Sequence, residues 1–552
     1  MSHLDTLAAY QAAAVRVVLN QGEPVDEFGS GGGLADAFDR LGRAPLASVL
    51  ADAAVASVHL SDGDLVIEGE RRGDGARIAV SWGDQAIVDE ALALPASSGT
   101  VRDLAAHDLG SAEFRSAHGV KWAYIAGAMA GGIGSADILI AMGRAGLMGF
   151  FGAGGLPVPA VEAALQRVTA EIPDKAWGFN LLHNPVEPAV EEATVDLYLK
   201  YGVKRVSASA YMDLTAAVVR FRFAGIHVDD AGQTVAPNHV FAKVSRVEVA
   251  DKFMRPPPQR ILDELVAAGA LTAEQAKLAS TLPTALDVTA EGDSGGHTDR
   301  RPTMVLLPEL QRLRDRIAGE LGYAPDCVPR VGAAGGIGTP QAAWGAFAMG
   351  ADYVMTGSVN QASLEAGTSD MVKQMLAAAT YVDVASGPAP DMFEMGAHVQ
   401  VLGRGSMYAQ RGQRLYDLYK RYGSMEEIPD AIRGKIEKQI FKAPLDEIWE
   451  GTRSFWQGRD PAQVERAERD GRHKMALTFR WYLGMASRWA RLGEKDRKRD
   501  FQIWCGPAMG GFNSWVAGTE LEKLENRSVV AIADAIMSGA ADSANRTIAG
   551  LL

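Results

Sequence analysis

The residues best suited to chemistry in this 552-residue chain lie in a few glycine-rich segments. Val331-Gly332-Ala333-Ala334-Gly335-Gly336-Ile337-Gly338-Thr339-Pro340 reads as the end of a strand opening into a helix. At Ala334, Gly335, Gly336 and Gly338 small residues let backbone N–H groups approach an anion, which the helix N-terminus also favours. One strand–helix unit later, Thr356-Gly357-Ser358 ends the next apolar run and adds further N–H groups and hydroxyls. Together the two segments read as a phosphate site, with two tight turns and no ligand as the plainer alternative. Upstream, Glu291-Gly292-Asp293-Ser294-Gly295-Gly296-His297 follows another apolar run. The Gly295-Gly296 pair allows a flat ring to lie against the backbone. His297 comes directly after it and suits a proton donor or a substrate-orienting group near neutral pH. A lone histidine is as often structural.

Weaker candidates complete the set. Asn180, after Gly178-Phe179, ends a strand and can pair with the polar edge of a flat ring. Gly127-Ala128-Met129 ends the first strand of the series, where small residues would admit the ring and the methionine would pack it. Lys243 can place a positive charge near such a ring, where it would stabilise negative charge; a salt bridge is an equally good use for it. Glu291 and Ser294 are grouped with the ring-binding residues by position. No Ser-His-Asp pattern, Walker loop or zinc signature is evident, and no metal site is expected.

These segments need a scaffold that brings strand ends together. From about residue 119, short apolar runs ending in glycine alternate with helical stretches. The runs are 123–126, 147–151, 176–181, 205–207, then either 225–228 or 239–244, followed by 285–288, 328–331 and 353–355. Eight such units are the signature of a (β/α)8 barrel, which carries its sites at the C-terminal strand ends and phosphate after strands seven and eight. The richest glycine turn follows the seventh run, which favours the barrel over an open doubly wound sheet. The expected fold is therefore an α/β TIM barrel over 106–384, preceded by a small α+β appendage (1–105) and followed by a helical C-terminal region (385–552). The appendage has a helix candidate near Leu4–Leu19, a break at Gly29–Gly33 and alternating stretches at 58–60 and 64–67. A helical insertion at 251–284, with a helix Gln259–Ala268, a stop at Gly269 and a cap at Thr272, falls where a lid would be placed.

Composition narrows the class. A formal charge of −13 argues against nucleic acid as a partner. The two cysteines, Cys327 and Cys505, make no disulfide framework. The start of the chain lacks a signal-peptide pattern, and the most apolar stretch, near 141–161, is broken by glycine, proline and Arg144. A cytoplasmic enzyme without a membrane span is expected, and a homodimer would suit the helical tail. Tyr482, Arg488, Trp489 and Lys495-Asp496-Arg497-Lys498-Arg499 suggest either a solvated helical face or a dock for an acidic carrier protein.

With these segments in place the chain resembles the superfamily of nitronate monooxygenases and FMN-dependent enoyl reductases, through Gly127-Ala128-Met129, Gly295-Gly296-His297 and Ala333-Ala334-Gly335-Gly336-Ile337-Gly338. Within it the chain resembles the PfaD family, the trans-acting enoyl reductases of polyunsaturated-fatty-acid and polyketide synthases. The likeness runs from about Leu109 to the C-terminus and includes 142–155, Ala242-Lys243-Val244-Ser245-Arg246, 293–299, Thr356-Gly357-Ser358-Val359-Asn360-Gln361, Asp391-Met392-Phe393-Glu394 and 502–510. Nitronate monooxygenases tend to carry Glu-Ala before Gly-Gly-His, whereas this chain has Asp293-Ser294, in keeping with the PfaD form. The first hundred residues match nothing in the family. The resemblance implies FMN in the barrel mouth, reduced by a nicotinamide cofactor, NADPH. It implies hydride delivery to the β-carbon of a trans-2-enoyl thioester on an acyl carrier protein, with a proton to the α-carbon from His297 or water. A flavin oxygenase of the nitronate monooxygenase type and a non-catalytic synthase scaffold are the rival readings.

Overall fold

The computed structural model describes residues 103–183 and 188–551, together with five strands between residues 15 and 82. The chain divides into two compact units, Met1–Asp103 and Leu104–Leu552. In the first, β1 (Val15–Leu19), β2 (Pro24–Phe28), β3 (Ala53–Ser61), β4 (Asp64–Arg71) and β5 (Arg77–Trp82) form an antiparallel sheet in the order β2-β1-β5-β4-β3. The helix expected to run to Leu19 is corrected at its end: Val15-Arg16-Val17-Val18-Leu19 is a strand, since β-branched residues suit a pleated surface. Leu4–Ala14 and the Gly29–Gly33 break lie outside the described residues.

The second unit is built on a closed parallel barrel. Its strands are β6 (Tyr124–Ala126), β7 (Met148–Phe151), β8 (Trp177–Leu182), β9 (Arg205–Ser209), β12 (His239–Val244), β13 (Asp287–Glu291), β15 (Arg330–Ala334) and β16 (Val354–Thr356). Pairing of β16 with β6 and of β9 with β12 closes the ring. Of the two runs open for the fifth barrel strand, 239–244 takes it. His227–Val228 instead forms β10 of a two-residue hairpin with β11 (Thr234–Val235), exposed and outside the barrel. The interior fills by matching large side chains to glycines. A Cβ on Gly178 would lie 2.4 Å from the Phe150 ring, and one on Gly332 would lie 2.3 Å from Tyr353. The hydroxyls buried there pair with each other, Tyr124 with Thr356 and Tyr353 with Thr289, each at 2.7 Å.

The helices follow in chain order. α1 (Ala112–His118) is capped by Ser111, whose Oγ accepts from the Phe114 amide. Phe114 stacks on Tyr353 at 4.6 Å, so α1 plugs the N-terminal end of the barrel. The outer layer contains α2 (Ala136–Arg144), α3 (Val158–Glu171), α4 (Pro188–Lys200), α5 (Ala216–Phe223), α6 (Val247–Met254), α7 (Gln259–Ala267), α8 (Ala273–Ala279), α9 (Thr303–Leu321) and α10 (Pro340–Ala348). The insertion at 251–284 also joins this layer. α7 buries Ile261, Leu262 and Leu265 and packs against α5, while α6 packs on α9 and β12. The capping box of Thr272 with Gln275 starts α8 as expected.

After β16 the chain continues through α11 (Asp370–Ala377), α12 (Tyr408–Arg421), α13 (Asp430–Ile436), α14 (Leu445–Arg459), α15 (Pro461–Arg469), α16 (Gly471–Leu492), α17 (Ala508–Val516) and α18 (Val529–Leu551). α18 packs against α10 and α2, the place of the barrel's eighth helix. The C-terminal region is thus helical, but its last helix belongs to the barrel, and the chain between β16 and α18 is inserted within the eighth unit. Part of that insertion, β17 (Val384–Pro388) and β18 (His398–Leu402), pairs with β14 (Gly296–His297) in a three-stranded sheet. No helix among the described residues is long and apolar enough to cross a membrane.

Candidate active site

The C-terminal strand ends gather most of the residues singled out by sequence. After β15, Gly335 and Gly336 take φ of +84° and +75°, the left-handed region that a glycine enters without a Cβ penalty. Thr339 then caps α10, its Oγ accepting from the Ala342 amide at 3.2 Å. The backbone amides of Gly335, Gly336, Gly357 and Ser358 donate to no group among the described residues. A Cβ on Gly336 or Gly357 would meet nothing within 4 Å. Unused donors at two adjacent loops, with open space beside Gly336 and Gly357, fit the phosphate of a cofactor such as FMN. Ala334 is buried at the strand end and supports the loop.

Other glycines have a different reason. A Cβ on Gly338 would lie 2.3 Å from the Ala508 carbonyl oxygen, and one on Gly295 would lie 2.8 Å from the Cys505 amide nitrogen. Trp504 sits 3.7 Å from the Cβ position of Gly296, and the Gly506 amide donates to Ser358 Oγ at 3.1 Å. The segment 504–508 therefore packs against the site, and Gly295 makes room for its backbone where the sequence suggested a ring, while Gly296 keeps ordinary contact with the Trp504 side chain. Gly127 is likewise filled by Met355, which lies 2.9 Å from its Cβ position, while Ala128 and Met129 stay half-buried. Thr356 is 1% exposed, and its hydroxyl is engaged by Tyr124 and Asn360 (2.9 Å), so it faces the barrel interior. Burial pushes the Cys505 thiol up to about 12, which removes it as a nucleophile at neutral pH.

A second group lines the mouth from β12 and β13. Lys243 Nζ lies 2.6 Å from Glu291 Oε1, and Ser294 Oγ donates to the same oxygen at 3.1 Å. The salt bridge considered for Lys243 is thus made, within a polar set at adjacent strand ends. Asn180 is buried and donates to Ser207 O (2.8 Å) and Ser209 Oγ (3.2 Å), so its amide nitrogen is committed to the barrel.

His297 stands apart from these. Antiparallel pairing of β14 with β18, His297 opposite Val399, fixes its backbone, and its Nε2 lies 2.9 Å from Asp391 Oδ1. Gln400 holds the turn before it, donating to Asp293 Oδ1 (3.1 Å) and Ser294 O (2.9 Å). A carboxylate on one ring nitrogen sets the tautomer and orients the other. Asp391 and Gln400 went unread as site residues because both reach the mouth only through β17 and β18, roughly a hundred residues along the chain. The basic, aromatic tail cluster is partly internal. Tyr482 is buried on Asp500 at 2.9 Å, and Arg497 donates to Ile440 O and packs 4.2 Å over Trp489.

The opposite end of the barrel holds a cavity of about 350 Å³ bordered by His118, Lys175, Trp177, Lys204 and Arg205. It lies at the N-terminal strand ends, where barrels carry stability. His118, His239 and Asp287 converge there, but Arg330 forks onto Asp287 (2.7 and 2.9 Å), His118 takes the Oδ2 side at 3.1 Å, and Arg205 donates to His118 Nδ1. The group reads as a structural network with cations already in place.

A closed parallel barrel with open amides after its seventh and eighth strands has room and donors that fit a phosphate group. Comparison with known proteins gives the particular family. The solved enoyl reductase domain of MlnA, from the macrolactin biosynthesis cluster of Bacillus amyloliquefaciens, is 38% identical, with a TM-score of 0.77 covering 81% of this chain and 100% of that one. A polyunsaturated fatty acid synthase component of Thraustochytrium sp. is 46% identical over 417 residues, 75% of this chain and 28% of that protein. The polyketide biosynthesis protein PksE of Bacillus subtilis is 42% identical over 436 residues, 79% of this chain and 56% of that protein. The chain therefore spans only part of these synthase proteins. Residues 422–501, which hold α13 to α16, match the inserted helical domain of [acyl-carrier-protein] S-malonyltransferase. The chain belongs to the PfaD family of enoyl reductases, within the nitronate monooxygenase superfamily.

Proposed function

We propose that this chain is a flavin-dependent enoyl reductase that reduces trans-2-enoyl thioesters carried on acyl carrier protein, with NADPH as reductant and FMN as the bound flavin. The observation that carries this reading is the set of unused amides at Gly335, Gly336, Gly357 and Ser358, after the seventh and eighth strands of the barrel. Likeness across the whole of a solved enoyl reductase domain supports it. FMN, when bound, supplies hydride for the β-carbon of the enoyl thioester.

The chain's own groups have separable tasks. The four amides would hold the cofactor phosphate, with the N-terminus of α10 behind them favouring negative charge. Lys243 would set positive charge beside the ring, moderated by Glu291. His297, held by Asp391, would deliver a proton to the α-carbon as charge develops there. The segment 504–508, packed on Gly295, Gly338 and Ser358, would help to screen the bound ring from water. Acid extraction of the purified protein tests the cofactor assignment. Stoichiometric FMN supports it, and an apoprotein that takes up no FMN on reconstitution contradicts it.

A further inference from the structure

The rim beside His297 carries two cations without an ion-pair partner. Residues 298–302 join β14 to α9 and are tied on both sides. The Asp299 carboxylate accepts from Ser245 Oγ (2.7 Å) and from Arg246 Nε (2.9 Å) and Nη2 (3.2 Å). Thr298 Oγ1 accepts from the Arg300 amide at 3.0 Å and donates to Gly292 O at 3.4 Å. Arg300 is held at φ +51°, a region a residue with a Cβ rarely takes and one that marks functional loops when the surroundings enforce it.

This clamp spends Arg246 and Asp299 on each other. Arg300 and Arg301 are left exposed, with no carboxylate among the described residues within ion-pair distance of either guanidinium. Just beyond, α9 opens with Met304 and Val305, 76% and 60% exposed. The loop that supplies Asp391 shows Met395 at 71% exposure. Arg300 and Arg301 make no direct ion pair among the described residues, although Arg301 still feels the Asp299 carboxylate at longer range. Two exposed guanidiniums near exposed apolar side chains suit a ligand with a phosphate at one end and a mostly apolar chain at the other. Three residues span at most ~11 Å, so a chain whose reactive end lies at His297 can reach the Arg300 side chain.

We propose that Arg300 and Arg301 recognise the phosphate of the phosphopantetheine arm that carries the acyl thioester. This rests on the reductase reading above and adds to it the part of the substrate that the rim selects. The test reduces the flavin-loaded full chain with NADPH and follows reoxidation by crotonyl phosphopantetheine or by crotonyl pantetheine, which lacks the phosphate. Arg300→Ala/Arg301→Ala is expected to raise the half-saturating concentration of the phosphorylated thioester by about tenfold or more. The value for crotonyl pantetheine is expected to stay at that of the parent protein. Arg300→Gly, which suits the left-handed backbone, should give part of the same loss with an unchanged melting temperature.

Equal shifts for both thioesters, or none, would overturn the proposal. A variant that loses only the advantage of NADPH over NADH would overturn it too, by assigning the arginines to the nucleotide. If neither thioester reoxidises the parent protein, the reductase reading itself falls and this proposal with it, and that is seen before any variant is compared.

Discussion

His297 Nε2 and Asp391 Oδ1 lie 2.9 Å apart although 94 residues separate them in the chain. The contact exists because β18 pairs with β14 and lays the β17–β18 loop over the strand ends of the barrel. His297→Ala is expected to slow flavin reoxidation by an enoyl thioester by roughly a hundredfold, and Asp391→Asn by less. Flavin reduction by NADPH should be untouched in both. Stopped-flow measurement of the two half-reactions checks this, and unchanged reoxidation in His297→Ala would remove the histidine from the chemistry.

Two glycines of the phosphate region should behave differently. Gly338→Ala places a Cβ 2.3 Å from the Ala508 carbonyl and should destabilise the fold by about 1–3 kcal/mol. Gly357→Ala meets no atom within 4 Å. It should leave the melting temperature nearly unchanged and weaken FMN retention, because the new methyl stands beside the unused amides. Calorimetry and flavin titration on both variants separate a structural glycine from a binding one. Identical behaviour would contradict the assignment.

The Lys243–Glu291 pair sets opposing charges at the strand ends. Lys243→Met is expected to make the flavin harder to reduce and Glu291→Gln easier, since reduction adds negative charge to the ring. Dye-equilibrated redox titration reads the sign directly, and shifts of the same sign would place the pair away from the flavin.

Acid lability should come from the other end of the barrel. Burial lowers His118 and pushes His239 down to about 3, while an unfolded histidine titrates near 6.5. Between those values the unfolded chain binds protons that the folded chain refuses, so stability is lost as pH falls through that window. Asp352 acts oppositely. Burial raises it to about 6, so between about 4 and 6 the folded chain keeps a proton that the unfolded one releases. Glu192, raised by partial burial, opposes in the same sense as Asp352, and the two deeply buried histidines set the net loss on acidification. The melting temperature should drop between about pH 7 and pH 5, and His239→Gln should reduce that slope by about one proton. An unaltered slope would mean His239 titrates normally.

Much of the barrel was legible because its strands are short buried runs, and β6, β7, β13, β15 and β16 each stop at a glycine. The turn after β15 was legible as well, since left-handed backbone at Gly335 and Gly336 favours that residue type. What escaped depends on distant chain. Gly295 and Gly338 look like ligand-binding glycines, yet their missing side chains make room for 504–508. Thr356 reads as a strand-end hydroxyl, but only the fold shows Tyr124 and Asn360 claiming it. The eighth barrel helix was hidden by the long insertion before α18. The sequence does not mark Arg300; its φ and the Asp299 clamp beside it come only from the fold.

The central claim is that electrons pass from NADPH through a bound flavin to an enoyl thioester. Anaerobic mixing of the purified protein with NADPH, followed by crotonyl thioester on a carrier protein, tests it in one experiment. Bleaching of the flavin absorbance and its recovery on adding the thioester, with butyryl thioester as product, is the expected result. A reduced flavin that ignores the thioester and reoxidises only with oxygen would contradict the account.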